Sequence, residues 1–459
     1  MELRRKIETD LLAWKRRTNR KPLLLLGARQ VGKTHSVERF GRAHFNSTVT
    51  INFQTDGARL RPIFEADLHP KRIIEDISYL TGSRIVPGQT LLIFDEIQLC
   101  NPALTSLKYF QEQASEYPII ATGSLFGVSI SREDSYTFPV GKVDLVNMVP
   151  MDFEEYLWAV GAQVQAEGVR SIIERVRSCA EDPRASSRSD SSLGYVAHDE
   201  MMRQLRRYMM IGGLPEVVSS FVEQADWGEI RRLQQDLATH YTADMALYAS
   251  PGDAVRTRAI WSSVPRQLTR DNSTKFKLTD MKSGARFRQY ETSFAWLESA
   301  GLIHRHFQAE EPVAPLRPRE DGTFFKVFLL DVGILSARLG VVPEVFCSTA
   351  GAQQISTTFR GGIAENYVKQ ALVACGVESM YWRSGNTAEV DFLLVDATMG
   401  VIPLEVKSGD NVRSSSLNLY NTRYRPTRSV RMSSRNFGFE DGLISLPLYA
   451  AFCLPELLL

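Results

Sequence analysis

Two things are scarce in this 459-residue chain: cysteine, and any excess of charge of one sign. The five cysteines, Cys100, Cys179, Cys347, Cys375 and Cys453, are odd in number and scattered, with no C-x-x-C pair. That weighs against both a disulfide framework and a cysteine-ligated zinc site, and it fits a reducing compartment. Lysine and arginine number 54 against 53 aspartate and glutamate, so a nucleic-acid surface must be a local patch and not a global field. Long apolar runs are lacking too: none approaches the ~20 residues that span a bilayer. The opening Met1-Glu2-Leu3-Arg4-Arg5-Lys6 leads into a helical pattern of Leu3, Ile7, Leu11 and Trp14 instead of a signal-peptide core. The expectation is a cytoplasmic protein without a membrane partner, long enough for about three domains of ~150 residues.

What is present starts at Gly27-Ala28-Arg29-Gln30-Val31-Gly32-Lys33-Thr34, directly after the apolar run Leu23 to Leu26 and before a helix-like stretch from His35 to Phe40. A strand that ends in glycines brings backbone N–H groups onto a polyphosphate, because side chains there would block the approach. Lys33 then reaches the β- and γ-phosphates of ATP, and the Thr34 hydroxyl is placed for Mg²⁺. Thr48 to Phe53 reads as a second strand and Pro70 to Leu80 as a helix, so a parallel α/β sheet is expected. The strand Gln89 to Phe94 delivers Asp95 and Glu96 at its C-terminal end, which faces the ligand crevice in such sheets. Asp95 suits Mg²⁺ held through water and Glu96 the polarisation of the attacking water; the plainer alternative is a helix cap. Pro118 to Gly123 reads as another buried strand, with Thr122, or Ser124, as a γ-phosphate sensor or part of an ordinary turn.

The phosphate loop GARQVGKT, Asp95-Glu96-Ile97-Gln98, Thr122-Gly123-Ser124 and Gly212-Gly213-Leu214-Pro215 together resemble the prokaryotic AAA-type ATPases that carry a C-terminal domain of unknown function, number 4143. The resemblance covers nearly the whole chain. In the related signal-transduction ATPases a Gly-x-Pro turn of the helical lid sits near the nucleotide, which implies that Gly213 and Pro215 belong at the ATP site. Read from the residues alone, the same turn is a helix stop with a proline-initiated restart. The family's usual Gly-Arg after the sensor strand is Gly141-Lys142 here. Lysine keeps the charge but loses the planar fork of an arginine finger, so a finger acting between subunits of a homo-oligomer, or a ring, falls to Lys142 or Arg132, with a solvated surface lysine as the alternative.

The remaining chain divides into a helical lid at 151–254, a winged-helix domain at 255–345 and a C-terminal domain at 346–459, after the ATPase core at 1–150. Met151 to Ala180, Glu200 to Met210 and Asp226 to Ala249 have helical patterns, and 181–199 reads as a flexible insertion. In the winged helix, Thr257 to Leu268 and the stretch with Tyr290, Phe294 and Leu297 are helices, and Leu302 to Phe307 and Phe324 to Leu330 are wing strands. Arg256, Arg258, Arg266, Arg270, Lys275, Lys277, Lys282, Arg286 and Arg288 make this region locally basic, which suits a DNA backbone or, alternatively, only a packing module.

In the C-terminal domain, Ile363 to Cys375 reads as a helix carrying Glu365, and Glu389 to Val395 and Val401 to Lys407 as adjoining strands. Alternation puts Glu389 and Asp391 on one face and Glu405 with Lys407 on one face of the neighbour. Glu365 with Asp391-x13-Glu405-Val406-Lys407 matches the PD-(D/E)xK nuclease pattern, which this family's C-terminal domain resembles. Asp391 and Glu405 repel each other unless a cation lies between them, so they predict a Mg²⁺ or Mn²⁺ site, with Glu365 completing the metal shell or orienting the lysine and Lys407 orienting water or offsetting charge at a phosphodiester. The alternative makes Glu405 and Lys407 solvated strand residues and pairs Glu365 with Lys369. The overall expectation is an α/β P-loop ATPase acting on nucleic acid, with a nuclease-like end that either cuts or only binds.

Overall fold

Four consecutive leucines, Leu23–Leu26, are 2 % exposed or less, as a strand buried on both faces requires. This strand (β1) lies at the heart of a five-stranded sheet with β2 (Ser47–Asn52), β3 (Thr90–Asp95), β4 (Ile119–Gly123) and β5 (Asp144–Asn147), in the order β2-β3-β4-β1-β5 with every neighbour parallel. The protein is seen here as a computed structural model that describes residues 2–124, 138–181, 192–248, 251–270, 275–319, 322–348, 351, 354–385, 388–409 and 414–459. Arg132 and most of the insertion expected at 181–199 lie outside these residues; the end of that stretch, from Tyr195, begins the helix Tyr195–Ile211.

The chain forms two compact units, one built on Arg5–Val149 and the other on Pro150–Glu298 and Ile303–Leu459. In the first, Phe53, Phe64, Phe94 and Phe110 meet edge to face, at centroid distances of 5.5–6.3 Å. Each buried phenyl ring contributes about 2–3 kcal/mol, and together they clamp the helices Gly57–Ala66 and Asn101–Gln113 onto the sheet. The sequence reading had no helix at 57–66.

The second unit contains the residues expected as lid, winged helix and C-terminal domain except Ser299–Leu302, which group with the first. Phe153 and Tyr208, from the helices Phe153–Ala159 and Tyr195–Ile211, are buried against Tyr367 of the helix Thr357–Ala374. The long helix expected at 151–180 is two, Phe153–Ala159 and Gln163–Glu181, because Gly161 takes a left-handed conformation (φ +77°) between them. The first is capped reciprocally by Asp152 and Glu155.

The helices Pro251–Leu268 and Glu291–Ser299 precede an antiparallel pair, β6 (Ile303–Phe307) and β7 (Phe325–Leu329). Six further strands, β8 (Met380–Ser384), β9 (Ala388–Val395), β10 (Val401–Val406), β11 (Ser429–Ser433), β12 (Gly438–Glu440) and β13 (Leu443–Pro447), form a mixed sheet ordered β12-β13-β11-β10-β9-β8. β9 and β10 are antiparallel neighbours, as the turn at 398–400 requires.

Gly212 and Gly213 sit where the chain leaves the helix Tyr195–Ile211. A Cβ on Gly213 would stand 1.9 Å from the Met151 carbonyl oxygen, while the Gly213 carbonyl accepts a 2.7 Å bond from the Met151 N–H. Backbone cannot yield as a flexible side chain can, so Gly213→Ala is expected to destabilise the fold by at least ~2 kcal/mol, read as a lower urea midpoint with an unchanged slope.

Candidate functional site

β1 ends at Leu26 and the helix Lys33–His44 begins seven residues later, so the expected phosphate loop is a strand-to-helix turn. Its backbone has positive φ at Gly27 (153°), Gln30 (65°) and Gly32 (94°). A Cβ on Gly27 would meet the Met148 carbonyl oxygen at 2.2 Å, so only glycine fits there. The loop is braced from behind by Arg5, whose buried guanidinium donates 2.7 Å bonds to the carbonyls of Val31 and Val149. The Lys33 ammonium turns back onto the carbonyls of Gly27 and Ala28, at 2.9 and 2.8 Å. Burial pushes its pKa down to about 8, against the opposing pull of Glu96 and Asp95.

Asp95 is the hub of this site. One carboxylate oxygen accepts from the Thr34 hydroxyl at 2.8 Å and from the Thr122 hydroxyl, and the other accepts from the Asn52 amide at 2.7 Å. The register explains the convergence, because Asn52 and Asp95 are cross-strand partners on β2 and β3 and Thr122 lies on the next strand, β4. Thr122, expected to sense phosphate or water, here gives its hydroxyl to Asp95. Glu96 leaves the strand in a left-handed conformation (φ 54°), and its carboxylate accepts from the Gln98 amide. A Cβ on Gly123 would stand 2.6 Å from the Gln98 side-chain oxygen, so the strand end packs directly against Gln98.

The donor set fits Mg²⁺ with a nucleotide: a hydroxyl and a carboxylate already in contact are hard oxygen ligands beneath a loop of backbone N–H groups. Asn52, Gln98 and Arg5 were not anticipated. Asn52 had one readable signal, a polar residue ending the strand that neighbours the Asp-Glu strand. Asn52→Ala is expected to lower ATP turnover about tenfold with little change in nucleotide affinity, measured as kcat against KM, because Asp95 loses one of its orienting donors.

The Gly212 to Pro215 turn lies in the other unit. There the Gly213 N–H donates 2.6 Å to the Asp331 carboxylate, which also accepts from the Ile334 N–H at 3.0 Å and caps the helix Val332–Arg338. Pro215 is the first residue of the next helix, Pro215–Gln224. Lys142 forms a 2.9 Å ion pair with Glu112.

The expected carboxylates gather around β9 and β10. Asp391 on β9 accepts a 2.8 Å bond from the Val406 N–H on β10, and Glu405, with a side chain 4 % exposed, pairs with Lys407 at 2.5 Å. Burial, then Glu405 and Glu365, hold the Asp391 carboxyl well above its usual range. A second Glu405 oxygen has no hydrogen-bond partner among the described residues. Glu365 lies near enough to Asp391 to act on it electrostatically, and it does not pair with Lys369, whose ammonium binds Ser379 at 3.1 Å. Instead Glu365 is 3.0 Å from Lys326, which also meets Glu389 at 2.7 Å. Among the described residues no three His, Cys, Asp or Glu side chains converge as a metal-holding group. Lys326 was not foreseen, although a lone lysine in Phe324-Phe325-Lys326-Val327-Phe328 carries the same signal as Asp391 in its apolar strand.

Of the nine basic residues in the middle segment, Arg256 pairs with Asp253, Arg270 pairs with Asp280, and Lys275 lies over the Phe324 ring at 3.9 Å. Arg258, Arg266, Lys282, Arg286 and Arg288 stand exposed.

Comparison with known proteins gives three family matches: an AAA domain over residues 19–157, a domain of unknown function (DUF8612) over 202–344, and a domain of unknown function (DUF4143) over 360–450. No curated protein matches the chain. Among solved structures, a Walker-type ATPase of Pyrococcus abyssi aligns at 14 % identity and TM-score 0.42, covering 74 % of this chain and 96 % of its own. The ORC2 protein of Aeropyrum pernix, in ADPNP–ADP complexes, aligns at 14 % identity and TM-score 0.31, covering 77 % and 96 %. The Aeropyrum pernix ORC1 protein in complex with DNA aligns at 13 % identity and TM-score 0.28, covering 74 % and 93 %. No described helix is long and apolar enough to cross a membrane. The family matches support an AAA-type ATPase that carries a DUF4143 region.

Proposed function

We propose that this chain hydrolyses Mg-ATP and uses it to act on nucleic acid, DNA first, cutting it at a divalent-metal site in the DUF4143 region. The observation that carries the ATPase reading is the Thr34–Asp95 contact beneath a loop whose lysine is within reach of its own carbonyls. On nucleotide binding, Lys33 exchanges those carbonyls for phosphate oxygens, Asp95 and Thr34 hold the cation, and Glu96, steadied by Gln98, takes the proton of the attacking water. Mg²⁺ supplies charge neutralisation of the phosphates. Lys142, released from Glu112, is proposed to act across a homo-oligomer.

The nucleic-acid reading rests on the exposed cations around residues 258–288, in a helix–helix–hairpin order compatible with a winged helix, and on Asp391, Glu405 and Lys407 meeting on neighbouring strands. Asp391 and Glu405 would hold Mg²⁺ or Mn²⁺, which when bound polarises a phosphodiester and acidifies water. Lys407 offsets charge at the phosphate and Glu405 steadies Lys407. A second reading, an ATP-switched binding protein with a silent nuclease-like region, draws support from Glu365 and Glu389 being engaged by Lys326.

The test is DNA binding and cleavage by wild type and Asp391→Ala with Mg²⁺ or Mn²⁺. Binding should weaken with salt at a log–log slope that falls by ~0.9 for each lost phosphate contact, such as Arg286→Ala. Cleavage should vanish in Asp391→Ala; cleavage that persists, or none by wild type on any DNA or RNA form, defeats the nuclease reading.

A further inference from the structure

Lys326 lies on β7, outside the residues matched by the DUF4143 model, yet its ammonium reaches into the carboxylate cluster. It is 6 % exposed, and a buried ammonium is costly unless it is paired and hydrogen-bonded. It is paired with Glu365 of the helix Thr357–Ala374 and with Glu389 of β9, two residues from Asp391. Glu365, Glu389, Asp391 and Glu405 gather around two ammoniums, Lys326 and Lys407, with Arg383 adding a positive charge beside Glu389. The unpartnered Glu405 oxygen lies in that same cluster.

We propose that Lys326 is a built-in counter-cation: it withholds Glu365 and Glu389, so that a divalent ion is held by Asp391 and Glu405 alone and weakly. For a cation to gain the other two carboxylates, they would have to abandon a buried ammonium. Removing the ammonium frees both carboxylates and takes one positive charge out of the cluster, and attraction for a divalent ion rises with it. The pairing that costs affinity also makes Lys326 a positioning residue, because it fixes Glu365 on its helix and Glu389 on its strand.

This rests on the cluster being a divalent-cation site, and the experiment separates the two. Mn²⁺ is titrated into the nucleotide-free full chain and followed by the EPR signal of the free ion, in an Asp95→Asn background that removes the ATP-site ligand. The parent is compared with Lys326→Met, Lys326→Arg and Asp391→Asn, each checked for fold by circular dichroism. Lys326→Met is expected to bind about tenfold tighter or more, and Lys326→Arg, which keeps the charge, to match the parent. If the parent binds in an Asp391-dependent way and Lys326→Met binds no tighter, the counter-cation role is wrong and the metal reading stands. Tightening in Lys326→Arg as well also overturns it, since charge would not be the cause. Absence of binding in both parent and Lys326→Met overturns both. Should Lys326→Met fail to fold, Lys326→Met/Glu389→Gln against Glu389→Gln gives the same comparison.

Discussion

Glu96→Gln is expected to lower ATP turnover by about 10²–10³-fold while nucleotide affinity changes only a few-fold. Glutamine is isosteric and keeps an oxygen to accept from the Gln98 amide, so the local geometry survives. What goes is the ability to take a proton from the attacking water. Because Asp95, Thr34 and Lys33 remain, the nucleotide should still bind. The measurement is steady-state phosphate release alongside the affinity of a fluorescent ATP analogue. Turnover within tenfold of wild type would mean that another group is the base.

Asp331→Ala is expected to cost about 3–5 kcal/mol of stability. The carboxylate is 1 % exposed, and its removal strands the Gly213 and Ile334 N–H groups and one partner of the Gln370 amide. Asp331→Asn keeps an acceptor oxygen and should cost less. Burial also raises the Asp331 pKa above its ordinary value, against the hydrogen bonds that lower it. Above the unfolded carboxyl range near pH 4 the native state therefore binds more protons than the unfolded state. This site's contribution to stability is full below that range and declines as pH rises through the raised native pKa. Asp331→Asn should remove that decline, measured as urea unfolding free energy from pH 4 upward. An unchanged profile would show that Asp331 is not the titrating group.

The phosphate loop and the Asp95-Glu96 strand were legible because their chemistry is local: glycine at positive φ, a lysine one residue before a hydroxyl, a carboxylate at a strand end. The Asp391–Glu405 pairing was legible for a similar reason, since two strands joined by a short turn fix their own register. What could not be read depends on contacts between distant segments. Asp331 lies 118 residues from Gly213, and Lys326 lies 39 and 63 residues from its two partners. Nothing in the local pattern says that Lys326 will intercept Glu365, so the expected three-carboxylate shell was drawn without it. Nor does any local pattern say that Phe153, Tyr208 and Tyr367, up to 214 residues apart, will meet ring to ring.

The most direct test places Mg-ATP and end-labelled DNA, single- and double-stranded, with wild type, Glu96→Gln and Asp391→Ala, and follows phosphate release and strand cleavage in the same reaction. Wild type should do both, Glu96→Gln should lose phosphate release, and Asp391→Ala should release phosphate without cutting. Phosphate release that survives Glu96→Gln, or cutting that survives Asp391→Ala, would contradict the account.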